Sequence, residues 1–257
     1  MIKGQGNKKI KVLAYCDAPT CATGFATVSR NILEGLYRTG RYDIDIIGIN
    51  YWGDPHNFPF RIWPAGMNQD KDPYGRKKAF NMIQQMDYDI LFFLQDTFIL
   101  SFLPQLHAQL KAKGKDFSSI CYFPVDGVPY EGWIDNVNAC DYLVAYTDFG
   151  RKMAKEVCPC VKDMLMIPHG ANTSDYFPLN KRDVDSFRSQ YFGASSDNFI
   201  FLNVNRNQQR KDIPRTIAAF AELKKDIKDI TLYLHMAKED QGWKLEQVAK
   251  NYGLDLE

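Results

Sequence analysis

Apolar and polar positions along this chain switch repeatedly between two patterns. Short, nearly continuous apolar runs cover residues 9–15, 44–49, 89–94, 119–123, 142–145, 164–167, 199–204 and 230–236. Runs of this length and content predict strands buried on both faces. Between them, apolar residues recur at three- and four-residue spacing. Phe25, Val28, Ile32 and Leu36 share one face and predict a helix over 25–37. The same spacing predicts helices over 74–86, 98–111, 149–157, 184–191, 214–225 and 243–252. An aromatic- and proline-rich stretch, 51–73, interrupts the alternation and holds a short strand over 60–63. Strands that alternate with amphipathic helices predict an α/β fold, a parallel sheet covered by helices on both faces. At 168–180 the pattern gives way to Pro, Gly, Asn and Ser, which predicts a boundary between a first domain, 1–175, and a second, 176–257. No short-period repeat and no low-complexity tract interrupts the chain.

Charge changes this picture at one place. Strand 199–204 runs into Asn205-Arg206-Asn207-Gln208-Gln209-Arg210-Lys211-Asp212, and a helix follows. Three cations therefore gather where a strand ends and a helix begins. In open α/β sheets ligands sit outside the carboxyl ends of the strands. A helix start adds unpaired N–H groups and partial positive charge, so the loop is a candidate anion site for a phosphate or diphosphate. A solvated charged loop is the alternative.

Composition narrows the partners. With 257 residues the chain can bury a large core, and 45% hydrophobic with 25% charged residues is ordinary globular usage. A formal net charge of +1 argues against a broad nucleic-acid surface. No apolar run approaches the ~20 residues of a membrane span, and the polar start, Met1 to Lys9, does not resemble a secretory signal. Among the six cysteines, Cys16 and Cys121 fall in or beside strands, as small buried thiols do. Cys158-Pro159-Cys160 is shorter than the usual metal knuckle, and no second pair completes it. Six reduced thiols place the chain in the cytoplasm, with a peripheral position at a membrane left open.

Several passages together resemble one family. They are Asp17-Ala-Pro-Thr-Cys-Ala-Thr-Gly24-Phe-Ala26, Tyr122-Phe-Pro-Val-Asp126-Gly-Val-Pro129, Tyr146-Thr-Asp-Phe-Gly-Arg151, Ile167-Pro-His169-Gly-Ala-Asn172, Tyr176-Phe-Pro-Leu179 and Asn205-Arg-Asn-Gln-Gln-Arg-Lys211. In order and spacing they resemble the retaining glycosyltransferases of the GT-B fold, specifically the large family 4, from about Lys9 to the end. The Pro-His-Gly and Phe-Pro-Leu passages, followed about 30 residues later by a strand, Arg-x4-Lys and a helix, carry most of the resemblance. The resemblance implies two Rossmann-type domains: an acceptor-side domain over 1–175, and the start of a nucleotide-sugar-binding domain over 176–257.

It also implies roles. Arg206 and Lys211 contact the diphosphate of a nucleoside-diphosphate-sugar donor. Gly24, in the loop after the first strand, lets the backbone approach the donor phosphates. A single glycine stands there, where some relatives carry Gly-Gly or Gly-x-Gly-x-x-Gly. Asp126 marks the position of a polar residue of the catalytic cleft, often His; a turn aspartate before Gly127 is the alternative. His169 is a second cleft candidate, with a loop-stabilising role as its alternative. Asp96 is a weaker case like Asp126. Tyr51, Trp52 and Trp63 suit sugar stacking, or a loop packed on its own domain. His56, His107 and His235 have no partner legible in the sequence.

The implied reaction is transfer of a sugar, of the hexosyltransferase type, to a hydroxyl of a glycan, lipid or protein acceptor, with retention. No metal or other cofactor is obligatory. The departure from the family is at the end. No Glu-Gly-Phe-Gly-like passage and no Glu-x7-Glu segment is present, and only about 80 residues follow the turn-rich hinge at 168–180. The chain therefore reads as a fragment or a shortened form, weakly active or inactive alone. Its exposed half-sheet calls for a homo-oligomer or for a missing carboxyl-terminal portion. Two other classes stay open: a non-catalytic nucleotide- or sugar-binding module, and a nucleotide-sugar epimerase of the same fold.

Overall fold

In the computed structural model, residues 8–66, 71–193 and 196–256 are described. The polar start that bears on a secretory signal, and residues 67–70 of the aromatic stretch, lie almost wholly outside them. The chain divides into two compact units, Met1–Ala171 and Asn172–Glu257.

The first unit is a seven-stranded sheet. Its strands are β1 (Ile10–Asp17), β2 (Tyr42–Ile49), β3 (Arg61–Pro64), β4 (Ile90–Leu94), β5 (Ser118–Phe123), β6 (Tyr142–Ala145) and β7 (Met164–Met166), in the order β3-β2-β1-β4-β5-β6-β7. Every neighbouring pair is parallel. Strand order reverses at β1, so the crevice between the carboxyl ends of β1 and β4 is a topological switch point. The α/β class expected from the alternation is the class observed.

Helices α1 (Gly24–Arg38), α2 (Arg76–Gln85), α3 (Leu103–Ala112), α4 (Glu131–Val137) and α5 (Asp148–Val157) connect the strands. Thr23 caps α1 by accepting from the Ala26 N–H, and Thr147 caps α5 by accepting from the Gly150 N–H. The expected helix over 98–111 starts late, at Leu103. Residues 97–102 wind in successive turns, Ile99 to Asp96 and Leu100 to Thr97, and Pro104 fits the first turn of α3. Helix α4 was not legible in the sequence, because it is seven residues long and contains Gly132.

Helices lie on both faces of the sheet, as expected, but unevenly. One face carries the larger core, in which Leu13, Tyr15, Leu91, Phe93 and Phe123 pack against Ala79 and Ile83 of α2, Leu103 and Leu106 of α3, Ile134 of α4 and Ala154 of α5. On the other face α1 supplies Leu33, and Tyr51, Phe58 and Phe60 of the aromatic stretch join it. Beside α1, among the described residues, this second face is hollow and not packed by a helix. A trough of about 600 Å³ runs over Phe92, Tyr122, Val144 and Leu165. The strands read as continuously apolar whether or not a helix within these residues covers them, so the alternation alone overstates coverage.

The second unit holds α6 (Lys181–Phe192), β8 (Phe199–Val204), α7 (Ile213–Asp226), β9 (Ile230–His235) and α8 (Leu245–Asn251). Strands β8 and β9 form a parallel pair with Phe199 opposite Ile230 and Val204 opposite His235. Its core is small: Ile213, Ile217 and Leu245, with Leu232, Leu234 and Val248 packed against them.

Candidate functional site

In the first unit the candidate residues gather at the carboxyl ends of the strands. Asp17 ends β1 and is buried; its carboxylate accepts from the Thr23 hydroxyl at 2.6 Å and from the Gln95 amide at 2.8 Å. Burial raises its pKa, and the two hydrogen bonds act against that rise. The bond to Gln95 ties the end of β1 to the residue after β4, across the switch point. Thr23 also starts α1, so the same side chain fixes the helix and the carboxylate.

Gly24 is the first residue of α1 and is exposed. No atom lies within 4 Å of the place a Cβ would take, and its backbone is outside the left-handed region. Neither packing nor conformation demands glycine here. The consequence is clear space above the N-terminal turn of α1, where a ligand can approach the backbone.

Asp126 is exposed in the loop between β5 and α4. His169 follows β7, and its ring lies 4.2 Å from the Tyr146 ring and 5.6 Å from the Tyr122 ring. The Tyr122 hydroxyl donates to the Ile167 carbonyl at 2.7 Å and so anchors the segment that carries His169. Desolvation lowers the His169 pKa and favours the neutral imidazole. The Tyr146 hydroxyl is buried and has no hydrogen-bond partner among the described residues. An orphan hydroxyl beside a neutral imidazole is a pair able to meet a polar ligand. Sequence reasoning quoted Tyr146 and Asp17 without giving either a role. Their signal was position alone, at or just beyond the end of an apolar strand.

In the second unit, Arg206 and Lys211 lie in the segment between β8 and α7. Asn207, one of four residues between β8 and a 3-10 turn (Gln209–Lys211), is fully buried. Its amide donates to the Trp243 carbonyl at 2.6 Å and to the Lys238 carbonyl at 3.2 Å, and it accepts from the Trp243 N–H at 2.9 Å. A Cβ on Gly242 would stand 2.4 Å from the Asn207 Oδ1, so glycine is required for this close approach. Asp212 then takes a left-handed backbone, φ 45°, and Pro214 fits the first turn of α7. The loop is thus tied to residues 237–243 by hydrogen bonds.

The cations are held unequally. Arg206 forks onto Asp240, with Nη2 at 3.0 Å from Oδ2 and Nε at 3.2 Å. Asp240 was not legible as a partner, because 34 residues separate the two. Lys211 enters no ion pair among the described residues, and its side chain borders a cleft of about 510 Å³ with Phe201, Thr216 and Phe220. Asp212 at the helix start pairs with Arg215 at 2.9 Å. Among the described residues the loop therefore offers Lys211 and Arg210 without an ion pair, and the Arg206 guanidinium, which an incoming anion must share with Asp240.

The remaining candidates have structural surroundings. His107 is buried between the Leu103 carbonyl and the Ser119 hydroxyl, each at 2.9 Å. His56 packs between Tyr51 and Phe58. His235 contacts Tyr233. Tyr51 is buried and bonds the Asp54 carbonyl, so it belongs to its own domain's packing, while Trp52 is exposed.

No known family's sequence profile matches the chain, and no curated protein matches it in sequence. Solved structures do match in shape. The N-terminal domain of trehalose-6-phosphate phosphatase from Candida albicans matches with a TM-score of 0.61 at 12% identity, over 98% of this chain and 68% of that one. A trehalose-6-phosphate structure from E. coli, bound with UDP-2-fluoro glucose, matches with 0.55 at 11% identity, over 94% and 69%. The catalytic domain of starch synthase IV from Arabidopsis thaliana, bound to ADP and acarbose, matches with 0.52 at 14% identity, over 95% and 76%. The GT-B-like α/β fold expected from the sequence is the fold these structures share with the chain.

Proposed function

We propose that this chain is part of a glycosyltransferase that moves a sugar from a nucleoside-diphosphate sugar to a hydroxyl of a glycan, lipid or protein acceptor. The observation that carries the reading is the loop after β8, with Arg206 and Lys211 on a segment fixed by Asn207 at the start of a helix. A leaving nucleoside diphosphate gains negative charge as the glycosidic bond breaks. Cations and N–H groups already in place stabilise that charge without reorganising. Lys211 supplies a point charge, and Arg206 a fork able to take two phosphate oxygens. Two of the similar structures carry UDP-2-fluoro glucose or ADP, which fits a diphosphate at such a loop.

Residues 1–175 would serve the acceptor and 176–257 would begin the donor-binding part. Gly24 gives room for the donor phosphates over α1. Asp126 accepts a hydrogen bond from a sugar or acceptor hydroxyl, and the neutral His169, with Tyr146, orients the reacting sugar. Retention and independence of a metal are part of the same proposal. The chain spans 68–76% of the similar structures, and contacts to ribose and donor sugar are assigned to residues beyond it. Alone it would transfer sugar slowly or not at all, because transition-state stabilisation needs every contact in place.

The test is a radiolabelled-donor assay on the chain and on a form extended at its carboxyl end, with Arg206→Ala as the control for contaminants. Transfer by the extended form, with the donor's anomeric configuration kept in the product and loss in Arg206→Ala, is expected. Isomerised donor without transfer would make the protein an epimerase. Donor bound tightly but never turned over would make it a binding module.

A further inference from the structure

We propose that Cys158, Cys160 and Asp135 form a surface site for a thiophilic divalent cation, Zn²⁺ by preference. Cys158-Pro159-Cys160 is too short to hold a metal by itself, but the fold brings a third ligand to it. One ligand atom from each of the three residues lies within 4.8 Å of the others. The two Sγ atoms are 3.3 Å apart. Tetrahedral zinc with Zn–S bonds of ~2.3 Å needs its sulfurs ~3.8 Å apart. The thiols must therefore open by only about half an ångström, once the hydrogen bond between them is replaced by the metal.

The scaffold around these atoms is already ordered. Cys158 closes α5, its N–H donating to the Ala154 carbonyl, and its own carbonyl accepts from Val161. Pro159 restricts the backbone between the thiols. Asn138, which closes α4, accepts from the Lys162 N–H at 3.0 Å and reaches the Cys160 carbonyl at 3.5 Å. That side chain holds the cysteine turn against the last turn of α4, which carries Asp135. The two lysines of this segment are each tied to a backbone carbonyl and keep their charge. Lys155 donates to the Val161 carbonyl and Lys162 to the Cys140 carbonyl. Asp135 and Glu131, one turn apart on α4, both act electrostatically on the Cys158 thiol. Their negative potential favours a cation, and water is available as the fourth ligand.

Access comes from one side: Cys160 and Asp135 are exposed while Cys158 is buried. Two thiolates with one carboxylate suit zinc or cadmium and disfavour Mg²⁺ or Ca²⁺, which prefer all-oxygen sets. A bound ion would link the end of α4 to the end of α5. Because α4 follows directly on the loop that carries Asp126, the ion would also limit motion of that loop.

Zn²⁺ is titrated anaerobically into the reduced, metal-free chain against a chromophoric chelator, with Co²⁺ as a second probe whose charge-transfer absorption reports thiolate ligation. One equivalent of Zn²⁺ and a cobalt–thiolate band are expected. Cys160→Ser and Asp135→Asn are the test variants, since both positions are exposed and neither change should unfold the protein. Each should weaken Zn²⁺ binding by at least about tenfold, while Cys21→Ser should leave it unchanged. No zinc bound by the reduced chain, or zinc bound equally well by Cys160→Ser, would overturn the proposal. So would a chain in which these thiols only form a disulfide and take up no metal.

Discussion

The two units hold their loops in place by different means. In Met1–Ala171 the strand ends rest on a seven-stranded sheet with an extensive buried core. There the loops inherit rigidity from packing, and one or two hydrogen bonds finish the work, as Thr23 and Gln95 do for Asp17. In Asn172–Glu257 the sheet has two strands, and among the described residues only Ile213, Ile217, Phe220, Ile230, Leu245 and Ala249 are buried hydrophobics. Phe199, Leu202 and Val204 of β8 stay 66%, 62% and 61% exposed. Yet this unit carries the cationic loop. Here the loop's shape comes from Asn207, a buried amide that bonds the backbone of a distant segment. A site can therefore be ordered by packing beneath it or by polar ties across it, and the second way depends on very few atoms.

That contrast is most easily broken through the small core. Ile217→Ala removes a fully buried side chain at a cost of about 2–5 kcal/mol. With so few buried neighbours, the second unit should lose its protection against hydrogen exchange while the first keeps its own. Equal loss in both units would show that they do not differ as described.

Asn207→Ala is the next largest. It leaves the Trp243 N–H and several carbonyls without their partner, at about 1–3 kcal/mol. Exchange should accelerate at 205–212 and 237–243 but not across β8 and β9. An effect spread over the whole unit would mean that Asn207 supports the core and not the loop.

Asp240→Asn sharpens the reading of the loop itself. Arg206, the partner of Asp240, is more than half exposed, and such pairs contribute about 0–1 kcal/mol. Stability should hardly change, while affinity for a nucleoside diphosphate should rise a few-fold as the guanidinium is freed. A fall in affinity on calorimetric titration would make Asp240 an orienting partner and not a competitor.

The smallest effect is expected at Asp17. Burial raises its pKa above the ordinary 3.8. Below that value the carboxyl is protonated in both the folded and the unfolded chain. As pH rises from there through the raised folded value, the unfolded chain ionises first and stability falls. Asp17→Asn can still accept from Gln95 and donate to Thr23. It should remove that loss, so denaturant midpoints at neutral pH should rise relative to the parent and the two should converge in acid. A variant less stable at every pH would mean that the charge itself is needed.

Much of this architecture was legible in the sequence, and the failures have physical causes. Strands such as Ile90–Leu94 read clearly because buried parallel strands are continuously apolar. The hollow beside α1 did not read at all, because an apolar strand looks the same under a helix or beside a cavity. Short α4 carried too few turns to show a period. Within the candidate site, Arg206 and Lys211 stood out as local charge, and Gly24, Asp126 and His169 through family resemblance. Asp240 and Tyr146 act through contacts distant in sequence, and Asn207 gave no sign that its amide would be buried. A single sequence does not encode such pairings in any local pattern.

The central claim is that the loop after β8 receives a diphosphate. Calorimetric titration of UDP, GDP and ADP into the chain and into an Arg206→Ala, Lys211→Ala double variant tests it most directly. Loss of a charge-assisted hydrogen bond costs about 1.5–3 kcal/mol, or roughly tenfold or more in affinity for each cation. The account predicts that at least one nucleoside diphosphate binds the parent chain and that the double variant loses tenfold or more. Unchanged affinity in the double variant would place the diphosphate elsewhere and contradict it.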